Sequence, residues 1–248
     1  MSRVTAPELA RRFLLAVRTE DAAMADAAAE ALARLTEDDL ARDLPDDPTR
    51  IATWVNLYNA ATQRLVDADP AAYARRTRFF RQSALVVAGR MLTLDTLEHG
   101  LLRRSRPKIG LGYLPNPLAG RFERRFRVAR PDPRVHFALN CAAASCPPIA
   151  AYDADRLDAQ LDLATRAYLG ATVRRDGETL IVSRIFRWFP GDFGGPGGIR
   201  RFLAAHGHPT DGLRLRYAAW DWTPAPDAWR IESSAPTVPT ATPPEAPL

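Results

Sequence analysis

The spacing of apolar residues changes period near residue 85, and no other feature limits the possible folds as much. Before that point they recur every three or four residues. Leu9, Phe13 and Val17 make one stripe, Met24, Ala28, Leu32 and Leu35 a second, and Ile51, Trp54, Val55, Tyr58 and Leu65 a third. Such spacing puts each set on one face of a helix. Pro48 stands where the first turn of the third helix tolerates a proline. Residues 85–94 then alternate and predict a hairpin, followed by a short helix opened by Thr93 or Asp95 and carrying Leu94, Leu97 and Leu101. A loop rich in Pro, Gly and Arg spans 105–134. Beyond it Val135, Phe137 and Leu139 alternate as a strand with one buried face would. Asp153 reads as the N-cap of a helix with Leu157, Leu161, Ala164 and Tyr168 on one face and Gly170 as its stop. Residues 172–175 and 179–182, joined through Asp176-Gly177, predict a second hairpin. A short helix over 199–205, ended by Gly207, follows. Helices first and hairpins later predict an α+β fold, a helical N-terminal part packed on a small antiparallel sheet.

This order implies three regions. Residues 1–49 form an N-terminal helical extension and 50–232 the core domain. Residues 233–248, mostly Pro, Thr, Ala and Ser, have too little apolar bulk to pack and are expected to be disordered. The chain of 248 residues is long enough for one sizeable core or two small ones. Its basic residues are 33 arginines and the single lysine Lys108. The net charge of +5 is modest, so it permits an anionic small molecule or peptide and does not demand nucleic acid. No stretch approaches the roughly 20 apolar residues of a membrane span, and the first residues contain no uninterrupted apolar run of a secretory leader. The expected location is therefore cytoplasmic. There Cys141 and Cys146 would be thiols or metal ligands rather than a permanent disulfide.

Residues 134–148 concentrate the reactive side chains. The strand reading throws His136 and Asn140 onto one face and delivers Cys141 at the strand end. Cys146, with Ser145 beside it, follows across three alanines. A thiol nucleophile needs a base and donors for an oxyanion. His136 and His99 are the available bases, and the small residues leave backbone N–H groups accessible. Two other readings stay open: the cysteines fill a tight turn as small hydrophobes, or they join His136 and His99 around a metal. The metal reading lacks a second paired-ligand motif, and neither a metal nor an organic cofactor is expected. On the short helix, His99 and Arg103 share a face by four-residue spacing. Glu98 is placed to orient the base or to close a capping box with Asp95, and Arg103 to anchor a substrate carboxylate. Asn56 and Asn59 share one side of the third helix, there to brace a loop or to contact a ligand. The glycine-rich run at 194–198 and the preceding Asp192-Phe193 read as a flexible loop, since they lack the Lys-Ser/Thr ending of a phosphate loop. The arginines between 121 and 130 read as a solvated face or a surface for an acidic partner.

Five segments stand in order along the chain: WVNLYNA at 54–60, LTLDTLEHGLLR at 92–103, VHFALNCAAASCPP at 135–148, SRIFRWF at 183–189 with Asp192-Phe193, and WDW at 220–222. Together they resemble the family called domain of unknown function 547. The resemblance covers about residues 50–223 and implies no particular activity. The order of helix, hairpins and His-bearing strand is also similar to papain-like and transglutaminase-like folds. In those folds a cysteine heads the helix, where Thr53-Trp54 stands here. Taken with the residues, the expected function is a thiol-dependent amide hydrolase or acyl transferase. A non-catalytic binding module for an anionic ligand, or a Cys/His metal or redox site, are the alternatives.

Overall fold

The computed structural model describes residues 3–225. Helices α1 (Ala6–Arg18), α2 (Ala22–Arg34) and α3 (Glu37–Asp43) lead into the long α4 (Asp47–Ala68). The three expected stripes correspond to α1, α2 and α4, although Met24 is exposed. The short α3 was not foreseen. It presents only Leu40 to the core and rests on a capping box between Thr36 and Asp39. Asp46 caps α4 and Pro48 sits in its first turn. α4 is the axis of the molecule, with Trp54, Val55, Leu57 and Ala60 fully buried. α1 packs against it, and so does a helix at Thr96–Leu102. The proposed N-terminal extension thus shares one hydrophobic core with α4.

After α5 (Arg76–Arg81), β1 (Ser83–Val87) and β2 (Arg90–Thr93) form the expected hairpin. α6 (Arg121–Phe126) occupies part of the expected loop, and a 3-10 turn at Pro133–Phe137 replaces the expected strand. Asp132 caps that turn and Pro133 presets its φ. The alternation at 135–139 misleads because both of its sides are buried: His136 and Asn140 are as hidden as Val135 and Phe137. α7 (Leu157–Thr172) carries the expected stripe but runs through Gly170. β3 (Arg174–Asp176) and β4 (Thr179–Val182) are antiparallel about a Gly177-Glu178 turn, one residue later than expected. α8 (Ile185–Trp188) and α9 (Gly195–Ala205) then cross over to β5 (Arg214–Tyr217), which pairs parallel to β4. A parallel neighbour requires such a crossover.

The fold class is therefore α+β, with one antiparallel pair and one three-stranded mixed sheet. The glycine run is not a loose loop, because residues 195–198 form the first turn of α9. Gly198 lies so close to the Phe193 carbonyl that a Cβ would sit 1.8 Å from its oxygen. Among the described residues two hydrophobic clusters make up the interior. One joins α1–α4, the first hairpin and the start of α7; the other joins the end of α7, β4, α8 and α9. Among the described residues no helix is long and apolar enough to cross a membrane. The expected tail at 233–248 lies outside the described residues.

Candidate functional site

The Thr96–Leu102 helix begins where the Thr93 hydroxyl accepts the Thr96 N–H (3.0 Å), while Asp95 turns outward to Lys108 (3.1 Å). It then winds with i→i−5 bonds, Arg103 N–H to Glu98 C=O and Ser105 N–H to Gly100 C=O. This π geometry recurs at functional sites. Glu98 is not a cap. Its carboxylate accepts from the Tyr58 hydroxyl at 3.3 Å and faces a cavity. Burial alone would raise the Glu98 pKa, but His99, Lys108, Arg103 and His136 outweigh it and hold the carboxyl below its ordinary range. Burial keeps the Tyr58 phenol protonated, its pKa well above 10.

Behind Glu98, His99 Nδ1 accepts from Arg103 Nη1 at 2.8 Å. An accepting Nδ1 leaves the proton on Nε2, which finds no partner. Burial lowers the His99 pKa to about 4, so the ring is neutral near pH 7. His99 does not line the cavity. Arg103 does not either: it is 1 % exposed and gives its Nε to Asp192 Oδ2 at 2.6 Å. The expected anchor for a substrate carboxylate thus anchors an internal one.

Asp192 is the residue that sequence reasoning missed. Its Oδ2 also accepts from His136 Nε2 (2.9 Å), and its Oδ1 accepts from Arg106 Nη1 (3.1 Å). Burial would raise its pKa, yet His136 and Arg103 more than compensate and hold it well below the usual carboxylate range. Gly112 makes the close approach possible. With φ +82° it passes Asp192 so closely that a Cβ would lie 2.6 Å from Oδ1. The His136 ring stacks on Phe189 at 4.7 Å and 8°, and Arg103 covers the ring of Phe189 at 4.0 Å. With Asp192 ionised, Nε2–H is the donor to it, so Nδ1 is the ring nitrogen left to act as a base, and Nδ1 makes no hydrogen bond within the described residues.

The cysteine turn is held from two sides. Asn59 on α4 donates to the Ala138 carbonyl (2.9 Å) and accepts the Asn140 N–H (2.9 Å). Asn56 makes the same double bond to Tyr152. Asn140 in turn donates to the Pro147 carbonyl and accepts the Ala142 N–H. Ser145 Oγ accepts the Asp221 N–H at 2.8 Å. Asn56, Asn59, Asn140 and Ser145, expected among the substrate contacts, are spent on the scaffold, and none lines the cavity. For Asn56 and Asn59 this is the bracing alternative. The turn brings Cys141 Sγ and Cys146 Sγ to 2.8 Å, and Cys141 N–H donates to Cys146 Sγ at 3.1 Å. Both cysteines are free thiols. The hydrogen bond to Cys146 and burial raise the Cys141 pKa well above its ordinary value. The raised pKa favours the protonated form of Cys141, and Cys146 Sγ accepts the Cys141 N–H.

These pieces meet. Glu98, His136, Cys141 and Cys146 line one cavity of about 350 Å³, walled by Tyr58, Phe80, Trp188, Phe189, Trp220 and Trp222. Its walls come from both hydrophobic clusters, so it follows the seam between them. Lys108, the chain's single lysine, also lines it. Among the described residues no three His, Cys, Asp or Glu side chains are arranged to hold a metal ion.

A family model described as "Protein of unknown function, DUF547" matches residues 42–169. The match spans Glu98, His136, Cys141 and Cys146 and stops short of Asp192 and the three tryptophans of the cavity. No curated protein and no solved structure matches the chain, so the likeness to papain-like or transglutaminase-like folds gains no support.

Proposed function

This chain belongs to the DUF547 family, whose description assigns no activity, and from its cleft we propose a thiol-dependent acyl-transfer enzyme, an amide hydrolase or acyl transferase. One observation carries the reading: a His136–Asp192 pair opens onto the same aromatic cavity as two thiols. Cys146 is assigned as the nucleophile, since its sulfur accepts the Cys141 N–H while the Cys141 pKa is raised. His136 takes the thiol proton at Nδ1 and later returns it to the leaving group. Asp192 holds the ring by its Nε2–H and stabilises the imidazolium, the role a buried carboxylate plays beside a catalytic histidine. Attack on an acyl carbon forms a thioester and releases an amine or alcohol; water or a second acceptor then takes the acyl group. Glu98, held by the Tyr58 hydroxyl, supplies a fixed anion to the same cavity.

The test is the pH dependence of iodoacetamide alkylation, with the modified cysteine located by mass spectrometry. In the native chain Cys146 should be the residue alkylated at neutral pH. Asp192→Asn should slow that reaction at neutral pH by at least about tenfold. A p-nitrophenyl ester of an apolar acid should leave an acyl adduct on Cys146 that is absent in Cys146→Ser. A rate of Cys146 alkylation unmoved by Asp192→Asn, with no acyl adduct on Cys146, would end the proposal.

The 2.8 Å approach of the two sulfurs favours a second reading, a dithiol–disulfide couple. Equilibration with oxidised and reduced glutathione separates the two, because only the couple requires Cys141. Cys141→Ser should preserve acyl transfer and abolish redox cycling.

A further inference from the structure

We propose that the loop from Lys108 to Leu118 is a docking surface for an anionic lipid bilayer. Ile109 is 92 % exposed, Leu114 71 % and Leu118 87 %, with Leu111 and Tyr113 about half exposed beside them. So many large apolar side chains in water within one short loop call for an apolar environment. The loop is also fixed. Asn116 N–H bonds the Ser105 carbonyl, Leu118 N–H bonds Asn116 Oδ1, and the Leu111 carbonyl takes the Gly191 N–H. The apolar side chains are therefore held outward by an ordered backbone.

Charge identifies the occupant. Of the eight cations between residues 103 and 127, Arg103, Arg106, Lys108 and Arg125 are paired with acids of the fold, which leaves Arg104, Arg121, Arg124 and Arg127 without an ion pair among the described residues. Arg104 and Arg121 flank the loop, are exposed, and make no ion pair among the described residues. Apolar side chains that insert, framed by cations that stay at the headgroups, describe an interfacial anchor for anionic lipid. Ile109 and Leu118 project almost free of the surface instead of lining a groove. A fluid acyl layer conforms around such side chains, whereas a rigid protein partner needs a continuous face. Lys108 and Leu111 also line the aromatic cleft, so docking would set the cleft mouth beside the headgroup layer.

The experiment is cosedimentation of the full chain with vesicles of phosphatidylcholine alone or mixed with phosphatidylserine, at low and high salt. The native chain should sediment with the mixed vesicles, and added salt should release it. Arg104→Gln with Arg121→Gln should weaken binding about thirtyfold, at roughly fivefold per cation removed. Ile109→Ser with Leu118→Ser should weaken it by at least about tenfold. Unchanged circular dichroism and Cys146 alkylation in both variants would show that fold and cleft survive. A native chain that stays in the supernatant, or that binds both vesicle types equally, would overturn the proposal. So would a dimer of this chain abolished by the serine pair, which would make the loop a protein contact.

Discussion

Asp192 and His99 are the two buried titratable groups around Arg103, and they divide its guanidinium between them. Arg103 Nε serves the carboxylate and Nη1 the imidazole nitrogen. His136 receives the carboxylate as its partner, and His99 receives a cation. Burial, with Arg103 adding to it against the opposing pull of Glu98 and Asp95, leaves His99 neutral, with a folded pKa of about 4 against about 6.5 in an unfolded chain. The sign of the consequence is fixed. Between those two values the unfolded chain binds more protons than the folded one, so stability rises with pH across the interval. It is lost as pH falls below about 6.5, to a total on the order of 3 kcal/mol by pH 4. His99→Asn keeps an acceptor for Arg103 and removes the titration. Its urea midpoint should fall less between pH 7 and pH 4.5 than that of the native chain. An equal fall in both would mean that His99 is protonated without penalty. Neither role was legible in the sequence. Asp192 lies among glycines, where no periodicity betrays burial, and His99 sits in a leucine helix that reads the same whichever way the ring points.

At the scale of elements, the site depends on α4 gripping the 138–152 segment through two asparagine amides. Three-residue spacing on a helix indicated that Asn56 and Asn59 face the same way, and inside a helix such residues need tertiary partners. What the sequence withheld was the partner, because residues 135–139 carried a strand-like alternation. An irregular segment has no neighbouring strand to satisfy its N–H and C=O groups, and the amides of α4 do that instead. Asn59→Ala would leave the Ala138 carbonyl and the Asn140 N–H buried and unpaired. The expected loss is about 2–4 kcal/mol by urea denaturation, with faster alkylation of Cys141 as the turn loosens. Asn59→Asp should do no better than alanine, because it returns the acceptor but sets a carboxylate against the Ala138 carbonyl. The hairpins and the helical stripes were legible for the converse reason: their backbone bonds are local, and only their apolar faces need company.

At the scale of the whole molecule, the seam between the two clusters is closed by the chain's own last described residues. After β5 the backbone returns across the cysteine turn. Ala144 N–H bonds the Thr223 carbonyl, Ala225 N–H bonds the Ala142 carbonyl, and Ser145 meets Asp221 through both main chain and side chain. Trp220 and Trp222 ride on this strap and pack on Trp188, with ring centroids 5.1 and 5.8 Å away. The strap touches the first cluster through Trp222 and the second through Trp220, so it joins the two halves where the cleft divides them. Its removal should open the cleft without unfolding either cluster, since each retains its fully buried residues. A chain ending at Ala225 keeps the strap and one ending at Ala218 lacks it. The shorter chain should keep its helical dichroism, show a red-shifted Trp188 emission against an unchanged contribution from fully buried Trp54, and alkylate Cys146 several-fold faster. Equal alkylation in the two chains would mean that the tryptophans wall the cavity without controlling entry to it. Loss of helical dichroism in the shorter chain would instead make the strap part of the core, and Trp222→Ala in the full chain would then measure access to the sulfurs with the backbone bonds intact.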